Sequence, residues 1–282
     1  MRLLSGLLLF LVAAAASQDV VRRAGDLYQR TEYEASLRVL AEDSTPDAAD
    51  YLLSGKNYFM LGDFKKATEF FEKALALSPG NSEYQLWLGR AWGRRAETSG
   101  WLTAGMHASK ARQCFEKAVA LDPHNREAKN DLFDFYLNAP GFLGGGIEKA
   151  EAIAKSIASE RPPESEFEEA QIADRRKDYA AAEAHLRRAM ELAPTEAGRI
   201  VDLARYVAKR GRLAESDVLF DKARKLAPQK PTVAFAEARV DIENHRNLEQ
   251  ARGLLEGYLH ASLTPDDPPR QEAEKLLRRA GG

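Results

Sequence analysis

The stretch that decides the fold is DYLLSGKNYFMLGDFKKATEFFEKALALSP, residues 50–79 of this 282-residue chain. Small and large residues in it follow helical spacing on both sides of a turn at 61–64, and a proline closes the unit. The positions that carry the pattern are Gly55, Tyr58, Ala67, Phe71, Ala74 and Pro79. The stretch therefore predicts two helices that touch where the small residues lie.

The same pattern returns further along the chain. It recurs as Gly89, Trp92, Ala111, Phe115, Ala118, Pro123, and again as Ala204, Val207, Ser216, Phe220, Ala223, Pro228. Gly55 and Gly89 are 34 residues apart, and so are Pro194 and Pro228. A period of that length, with small residues where helices must approach, is typical of stacked helical hairpins.

The pattern also sets the expected boundaries. We predict a secretory signal peptide at 1–17, a degenerate hairpin at 19–46, repeats at about 48–81, 82–125, 126–162, 163–196, 197–230 and 231–259, and a capping helix at 267–280. The second repeat has ten additional residues within 93–110, so either its helices are longer or a loop projects. The capping helix is expected to start with Asp267 as an acidic cap and prolines in its first turn.

Repeats three and six depart from the pattern. Phe133 and Ile157 replace small residues in repeat three. In repeat six, the pattern puts Gln250, Leu254 and Gly257 on the contact face of the second helix, with Asp241 at an apolar place on the first. A weaker match to the pattern is expected in the terminal repeats, because they must show a polar face to water.

The glycine run at 144–146 is not a phosphate loop. Such a loop needs Lys and then Ser or Thr after its last glycine, whereas Ile147 and Glu148 stand there. We predict a tight turn instead, with Phe142 and Leu143 packed against the helices.

Together these repeats resemble the tetratricopeptide repeat family, strongly over 48–123 and 182–228. The resemblance implies an all-α fold, a right-handed α-solenoid of stacked antiparallel helix pairs that spans 18–282 as one array. The long second repeat followed by 139–145 also resembles a group of exported bacterial members of this family. It implies no particular activity, since the family hosts many functions.

The N-terminus and the charge balance bear on location and partners. Arg2, an apolar run at 3–12 and small residues at 13–17 predict a secretory signal, hence a periplasmic or secreted protein; an uncleaved anchor is the alternative. No later segment approaches the roughly 20 apolar residues of a membrane span. The net charge of −2 does not favour nucleic acid. A single cysteine, Cys114, excludes an internal disulfide and is expected to be inert.

Residue sets that carry catalysis are absent from the sequence. The histidines lack the spacing of metal ligands, and no nucleophile is paired with a base. We therefore predict no enzyme activity, no cofactor and no metal site.

The first helices of the repeats supply the candidate binding residues. In this type of fold they line the inner groove, and the residue after each small position, with the residue four later, faces it. The predicted groove residues are Lys56, Arg90, Arg94, Asn138, Arg175, Arg205, Lys209 and Arg239. Basic residues prevail in this set, which predicts a ligand that bears carboxylates. The alternative is an ordinary solvated face, neutralised by acids such as Glu83, Glu127 and Glu164.

These features predict an exported, non-catalytic scaffold that binds a protein or peptide in the groove and helps to assemble an envelope complex. The alternative is a self-associating structural protein that uses 93–110 and the glycine loop. Charge reversal at Arg90 and Arg205 is expected to stop partner capture and to leave stability unchanged.

Overall fold

A computed structural model of the chain describes residues 18–281, so the predicted signal peptide at 1–17 lies outside the described residues. Within 18–281 the regular secondary structure is entirely helical, which confirms the all-α prediction. The chain divides into two compact units after Gly146, within the third predicted repeat. That the whole chain forms one array stays a prediction.

The N-terminal unit consists of helical hairpins. Its elements are α1 at 18–29, α2 Tyr33–Leu40, α3 Ala48–Met60, α4 Phe64–Leu77, α5 Ser82–Thr98, α6 Trp101–Leu121, α7 Arg126–Asn138 and the 3-10 helix η1 Gly141–Leu143. Side-chain caps start the helices: Asp47 forms a capping box on α3, and Asp63, Asn81 and Asn125 accept hydrogen bonds from the first turns of α4, α5 and α7. α3 packs on α4 and α5 on α6, as the repeat pattern predicts.

The C-terminal unit repeats this arrangement. Its elements are α8 Ile147–Ile157, α9 Pro162–Arg175, α10 Tyr179–Leu192, α11 Ala197–Lys209, α12 Leu213–Leu226, α13 Pro231–Glu243, α14 Leu248–His260 and α15 Arg270–Gly281. The hairpins are α9 with α10, α11 with α12, and α13 with α14. Ala273, Leu276 and Ala280 of α15 are buried at the last hairpin, as expected of a capping helix.

The repeated small residues lie where helices touch. Ala67, Phe71 and Ala74 of α4 are fully buried, and Phe220 is buried at the place equivalent to Phe71. A Cβ atom added to Gly55 would lie 2.5 Å from Cε1 of Phe71, closer than carbon atoms can approach. The glycine is therefore required by the phenylalanine of the same hairpin.

The ten additional residues of repeat two lengthen both of its helices rather than forming a loop. α5 and α6 are separated only by Ser99 and Gly100. The Ser99 hydroxyl lies 2.9 Å from Nδ1 of the buried His107, whose ring packs 5.2 Å from that of Trp92. These contacts fix the junction between the two long helices.

The predicted register of repeat six is wrong by one residue in its second helix. Ala251, Leu255 and Tyr258 are the buried residues of α14, not the residues one position earlier. Four residues separate α13 from α14, whereas three separate α3 from α4. The longer turn contains two residues with positive φ, His245 at 53° and Asn247 at 46°, and it rotates the following helix by one position.

The glycine run does form a turn, but one detail of that prediction is wrong. Gly144 has a φ of 95°, and a Cβ at Gly145 would lie 1.9 Å from the carbonyl oxygen of Ala139. Leu143 packs near Gly105 of α6, whereas Phe142 is 87% exposed instead of packed. Phe142 is the tip of η1, so its side chain projects from the turn.

The start of the capping helix also differs from the prediction. α15 begins at Arg270, so Pro268 and Pro269 precede the helix rather than occupying its first turn. The Asp267 carboxylate accepts hydrogen bonds from the backbone N–H and hydroxyl of Thr264. It therefore closes the preceding turn and does not cap α15.

Candidate functional site

The first helices of the hairpins face one another within each unit. α3 contacts α5 and α5 contacts α7; in the other unit α11 contacts α13 and α13 contacts α15. Within each unit, among α2 to α15, no two second helices of the hairpins touch one another. The first helices therefore form the inner side in each unit, and the predicted groove residues lie on them.

Lys56 and Arg90 of the N-terminal unit flank the indole of Trp87. The Lys56 Nζ lies 5.0 Å from the ring centroid and the Arg90 guanidinium 4.8 Å from it. Lys56 also forms an ion pair of 2.6 Å with Glu83, which begins the next first helix. This part of the face is thus a neutralised cluster built around a half-buried tryptophan.

Arg90 is a bridge between two helices and not a free surface cation. Its Nε lies 2.6 Å from Oδ2 of Asp131, and its Nη1 lies 2.9 Å from Oε2 of Glu127, both on α7. Burial raises the pKa of Asp131, and the adjacent Arg90 guanidinium opposes that rise. Reversing the charge of Arg90 would therefore disturb helix packing, contrary to the expectation that stability would be unchanged.

The remaining predicted groove residues of this unit also have partners within their own helix. Arg94 forms an ion pair with Glu97 one turn later on α5 and lies 5.1 Å above the ring of Phe64. The side-chain amide of Asn138 donates a hydrogen bond to the carbonyl of Asp134 in its own helix. The solvated-face alternative thus describes the N-terminal unit well.

The C-terminal unit leaves more positive charge available. Lys209 pairs with Asp174 at 3.0 Å, and Arg239 pairs with Glu272 at 2.6 Å. Arg175 and Arg205 are both exposed, and neither forms an ion pair with another residue of 18–281. The free charges of the predicted set therefore belong to α9 and α11.

Arg205 and Arg239 meet in a cleft of about 230 Å³ between α11 and α13. The segment before α15 completes its wall through Pro268, whose carbonyl accepts a hydrogen bond of 2.5 Å from the buried Tyr258 hydroxyl. The apolar lining residues are Val201, Val233, Phe235, Ala236 and Pro268, and the polar ones are Asp202, Arg205, Lys230, Thr232 and Arg239. The cleft thus combines an apolar floor with a mostly basic rim.

One acid, Asp202, lies in this basic rim. Its carboxylate is 3.1 Å from Nη1 of Arg199. Burial raises the pKa of Asp202 to about 6, against the attraction of Arg199 and Arg205, which lowers it. Near neutral pH this carboxylate is ionised and offsets part of the positive charge, and its protonation below about pH 6 leaves the rim more basic.

Sequence reasoning found Arg205 and Arg239 but missed Lys230 and Pro268 of the same cleft. Lys230 lies in the turn after α12, and Pro268 is brought in by the segment that follows α14. Neither position belongs to a first helix, so the rule that selected the groove residues could not include them.

Three further features were compared with the structure: the cysteine, possible metal ligands and possible membrane spans. Burial raises the pKa of the Cys114 thiol to about 11, so it stays protonated and unreactive near neutral pH. Residues 18–281 contain no group of three His, Cys, Asp or Glu side chains that could hold a metal ion. None of the helices in that range is both long and apolar enough to cross a membrane.

Comparison with known proteins agrees with this architecture. Residues 48–81 match the tetratricopeptide repeat family. A tetratricopeptide repeat protein from Parabacteroides merdae ATCC 43184 has a similar structure, with a TM-score of 0.61 at 12% identity, over 95% of this chain and 100% of that one. TTC0263, a thermophilic protein of the same repeat type from Thermus thermophilus, gives a TM-score of 0.53 at 19% identity, over 72% and 100%. No curated protein matches the chain.

The matching repeat at 48–81 and the similar fold confirm the resemblance to tetratricopeptide repeat proteins that was inferred from the sequence. At these identities the structural similarity shows the fold alone. Solenoids of this type generally serve as scaffolds for protein–protein interaction and not as catalysts.

Proposed function

We propose that the protein is a non-catalytic scaffold that binds an acidic segment of another protein in the cleft between α11 and α13. The observation that carries this proposal is the set of basic side chains at the cleft. Arg205 and Lys230 line it without an ion-pair partner in the described part of the chain, and Arg239 adds a third positive charge.

The shape of the cleft favours a peptide side chain over a metabolite. Ligand pockets for whole small molecules occupy about 300–1,000 Å³, whereas this cleft has about 230 Å³. An apolar side chain of the partner fits against Val233 and Phe235, while a neighbouring carboxylate meets Arg205 at the rim. Arginine suits this role because its planar fork can donate two parallel hydrogen bonds to one carboxylate.

The two units would contribute differently to the scaffold. In the N-terminal unit, ion pairs join neighbouring first helices through Lys56 with Glu83 and Arg90 with Asp131. Those cations are already used to hold the helices together. We therefore assign the partner-binding role to Arg205, Lys230 and Arg239, and a structural role to Lys56 and Arg90.

A peptide array tests the cleft directly. The full chain is applied to peptides that contain Asp or Glu and to counterparts with Asn or Gln in their place. Arg205→Glu should weaken binding of the acidic peptides at least tenfold, because it replaces a donor by a repelling charge. Arg252→Glu, on the exposed surface of α14, is the matched control and should leave binding unchanged. Equal binding of acidic and amide peptides would contradict the proposal.

We also propose that the protein is exported and acts within a complex of the cell envelope. The support for export is the sequence of residues 1–17, with Arg2, an apolar run and small residues in the order of a secretory signal. Fractionation of cells that produce the full chain, with N-terminal sequencing of the recovered protein, tests this. A chain found in the cytoplasm with Met1 retained would contradict it.

A further inference from the structure

The N-terminal unit carries an exposed apolar edge that the proposed function does not use. Trp101 is 85% exposed, Leu102 75%, Met106 51% and Phe142 87%. Single exposed apolar residues are ordinary on protein surfaces, but a cluster of large ones marks an interaction site. We call these four residues the apolar edge.

The four residues belong to one continuous surface. Trp101, Leu102 and Met106 lie in the first two turns of α6. Residues four apart share a face of a helix, so Trp101 lies on the face of Gly105, and Leu102 and Met106 lie together on the neighbouring face. The Cδ2 atom of Leu143 lies 3.6 Å from a Cβ atom built on Gly105, so η1 packs against the face of α6 that carries Trp101. Phe142 precedes Leu143 and extends the same surface.

Contacts within the N-terminal unit hold the two elements that carry the apolar edge. The ring of Trp92 packs against that of His107, and the Ser99 hydroxyl lies 2.9 Å from Nδ1 of His107. A side chain at Gly145 would collide with the Ala139 carbonyl, so the turn that carries η1 requires glycine at that position. Both elements that carry the apolar edge are thus anchored by contacts within the N-terminal unit.

The sequence around the apolar edge is positively charged. Residues 93–112 contain four basic side chains and one acidic side chain, although the whole chain has a net charge of −2. Arg94 and Arg112 are paired with Glu97 and Glu116. Arg95 and Lys110 stack on Trp92 at 4.3 and 4.0 Å from its centroid, and within residues 18–281 neither has an ion-pair partner.

We propose that the apolar edge docks the protein on the surface of an anionic lipid bilayer. Trp101 and Phe142 would enter the region between headgroups and acyl chains, where aromatic side chains are favoured, while Arg95 and Lys110 meet lipid phosphates. The high exposure of Trp101 and Phe142 means that few neighbouring atoms surround them, so they project from the protein. The unpaired charges of Arg95 and Lys110 favour an anionic lipid surface over a second copy, because a second copy would bring the same positive charges to the contact.

The experiment uses Trp101 as its own probe. The full chain is mixed with vesicles of phosphatidylcholine with 30% phosphatidylglycerol, whose acyl chains are brominated, and quenching of tryptophan fluorescence is measured. Trp87 is half-buried and Trp92 buried, so bilayer contact should quench chiefly Trp101. The quenched signal should disappear in Trp101→Phe. Because this readout is local to α6, attachment of the chain through residues 1–17 alone would not produce it.

Two further variants separate the edge from general hydrophobicity. Leu102→Ser with Phe142→Ser should reduce the quenching by more than half, whereas Leu77→Ser with Val218→Ser, two exposed apolar residues elsewhere, should not change it. Lys110→Ala should weaken binding to anionic vesicles about fivefold and binding to neutral vesicles little.

Either of two results would overturn the proposal. One is Trp101 fluorescence that is unaffected by vesicles on which the chain sediments. The other is a concentration-dependent dimer, measured by sedimentation equilibrium without lipid, that the Leu102→Ser and Phe142→Ser changes abolish. The second result would assign the edge to a second copy of the chain. Neither result bears on the cleft between α11 and α13.

Discussion

Two glycines of one helix test the repeat packing with a built-in control. Gly89 and Gly93 both lie inside α5, four residues apart. A Cβ atom at Gly89 would lie 2.6 Å from Cε1 of Phe115, whereas one at Gly93 has no atom within 4 Å. Replacing a glycine by alanine within a helix gains about 1 kcal/mol of intrinsic helix propensity at either site. Forcing a methyl group into the packed site costs about 1–3 kcal/mol.

The propensity gain is common to both variants and cancels when they are compared. Gly93→Ala should therefore stabilise the unit by up to about 1 kcal/mol, and Gly89→Ala should be less stable than Gly93→Ala by about 1–3 kcal/mol. Equilibrium unfolding in urea, followed by tryptophan fluorescence, measures the difference. The tryptophans of the chain, Trp87, Trp92 and Trp101, all lie in the N-terminal unit, so the signal reports on the unit that contains α5.

Equal upward shifts of the urea midpoint in both variants would mean that Phe115 does not press on Gly89. The slope of the unfolding free energy with urea must stay constant for the comparison to hold, because a changed slope indicates a changed unfolding transition.

Three further changes test the ion pairs, the cleft and the core. Arg90→Met should lower the unfolding free energy by about 1–3 kcal/mol in the same fluorescence assay, because it leaves the half-buried Asp131 unpaired; Arg94→Met, on the exposed side of the helix, should change it by less than about 0.5 kcal/mol. Burial raises the pKa of Asp202 to about 6, above its ordinary value near 4, so the folded state favours the protonated carboxyl. The contribution of this carboxyl to the free energy of unfolding is fully present below about pH 4 and is lost as the pH rises through about 6. Urea unfolding followed by circular dichroism should show that loss in the wild type relative to Asp202→Asn, and parallel pH profiles would contradict the raised pKa. Ala67→Leu should destabilise by about 1–3 kcal/mol through overpacking, since Ala67 is fully buried; an unchanged melting curve would mean that the repeat register is wrong.

The sequence predicts the hairpins well because their contacts are local and periodic. A small residue at Gly55 and a large one at Phe71 belong to the same hairpin, and their spacing alone indicates that they meet. The ends of the helices follow from capping residues such as Asp47 and Asn81, which identify a helix start by their own hydrogen bonds.

The wrong predictions lie where the geometry of a turn decides which residues of the next helix are buried, or where a side chain of the turn points. An additional residue in the turn before α14 moved burial from Leu254 to Leu255, which a fixed period of 34 residues does not reveal. The exposure of Phe142 was missed because a hydrophobic residue is expected to be covered, and only the three-dimensional path of η1 shows that it is not. Burial next to a turn is thus harder to predict from the sequence than burial within a helix.

The candidate site was predictable in part. A rule based on one helix at a time selected Arg205 and Arg239, which line the same cleft. It could not reveal that Arg90 reaches across to Asp131, because charge pairing between helices depends on side chains 41 residues apart in sequence. The charge that a face presents follows from such pairs and cannot be counted along one helix.

Affinity capture from a cell-envelope extract tests partner binding at the cleft between α11 and α13, with three forms of the chain: wild type, Arg205→Glu and Arg252→Glu. Captured proteins are compared by mass spectrometry at low and high salt. We expect an acidic partner that wild type and Arg252→Glu retain at low salt and release at high salt, and that Arg205→Glu does not retain. A partner retained equally by all three forms, or recovery of the bait alone, would contradict this expectation.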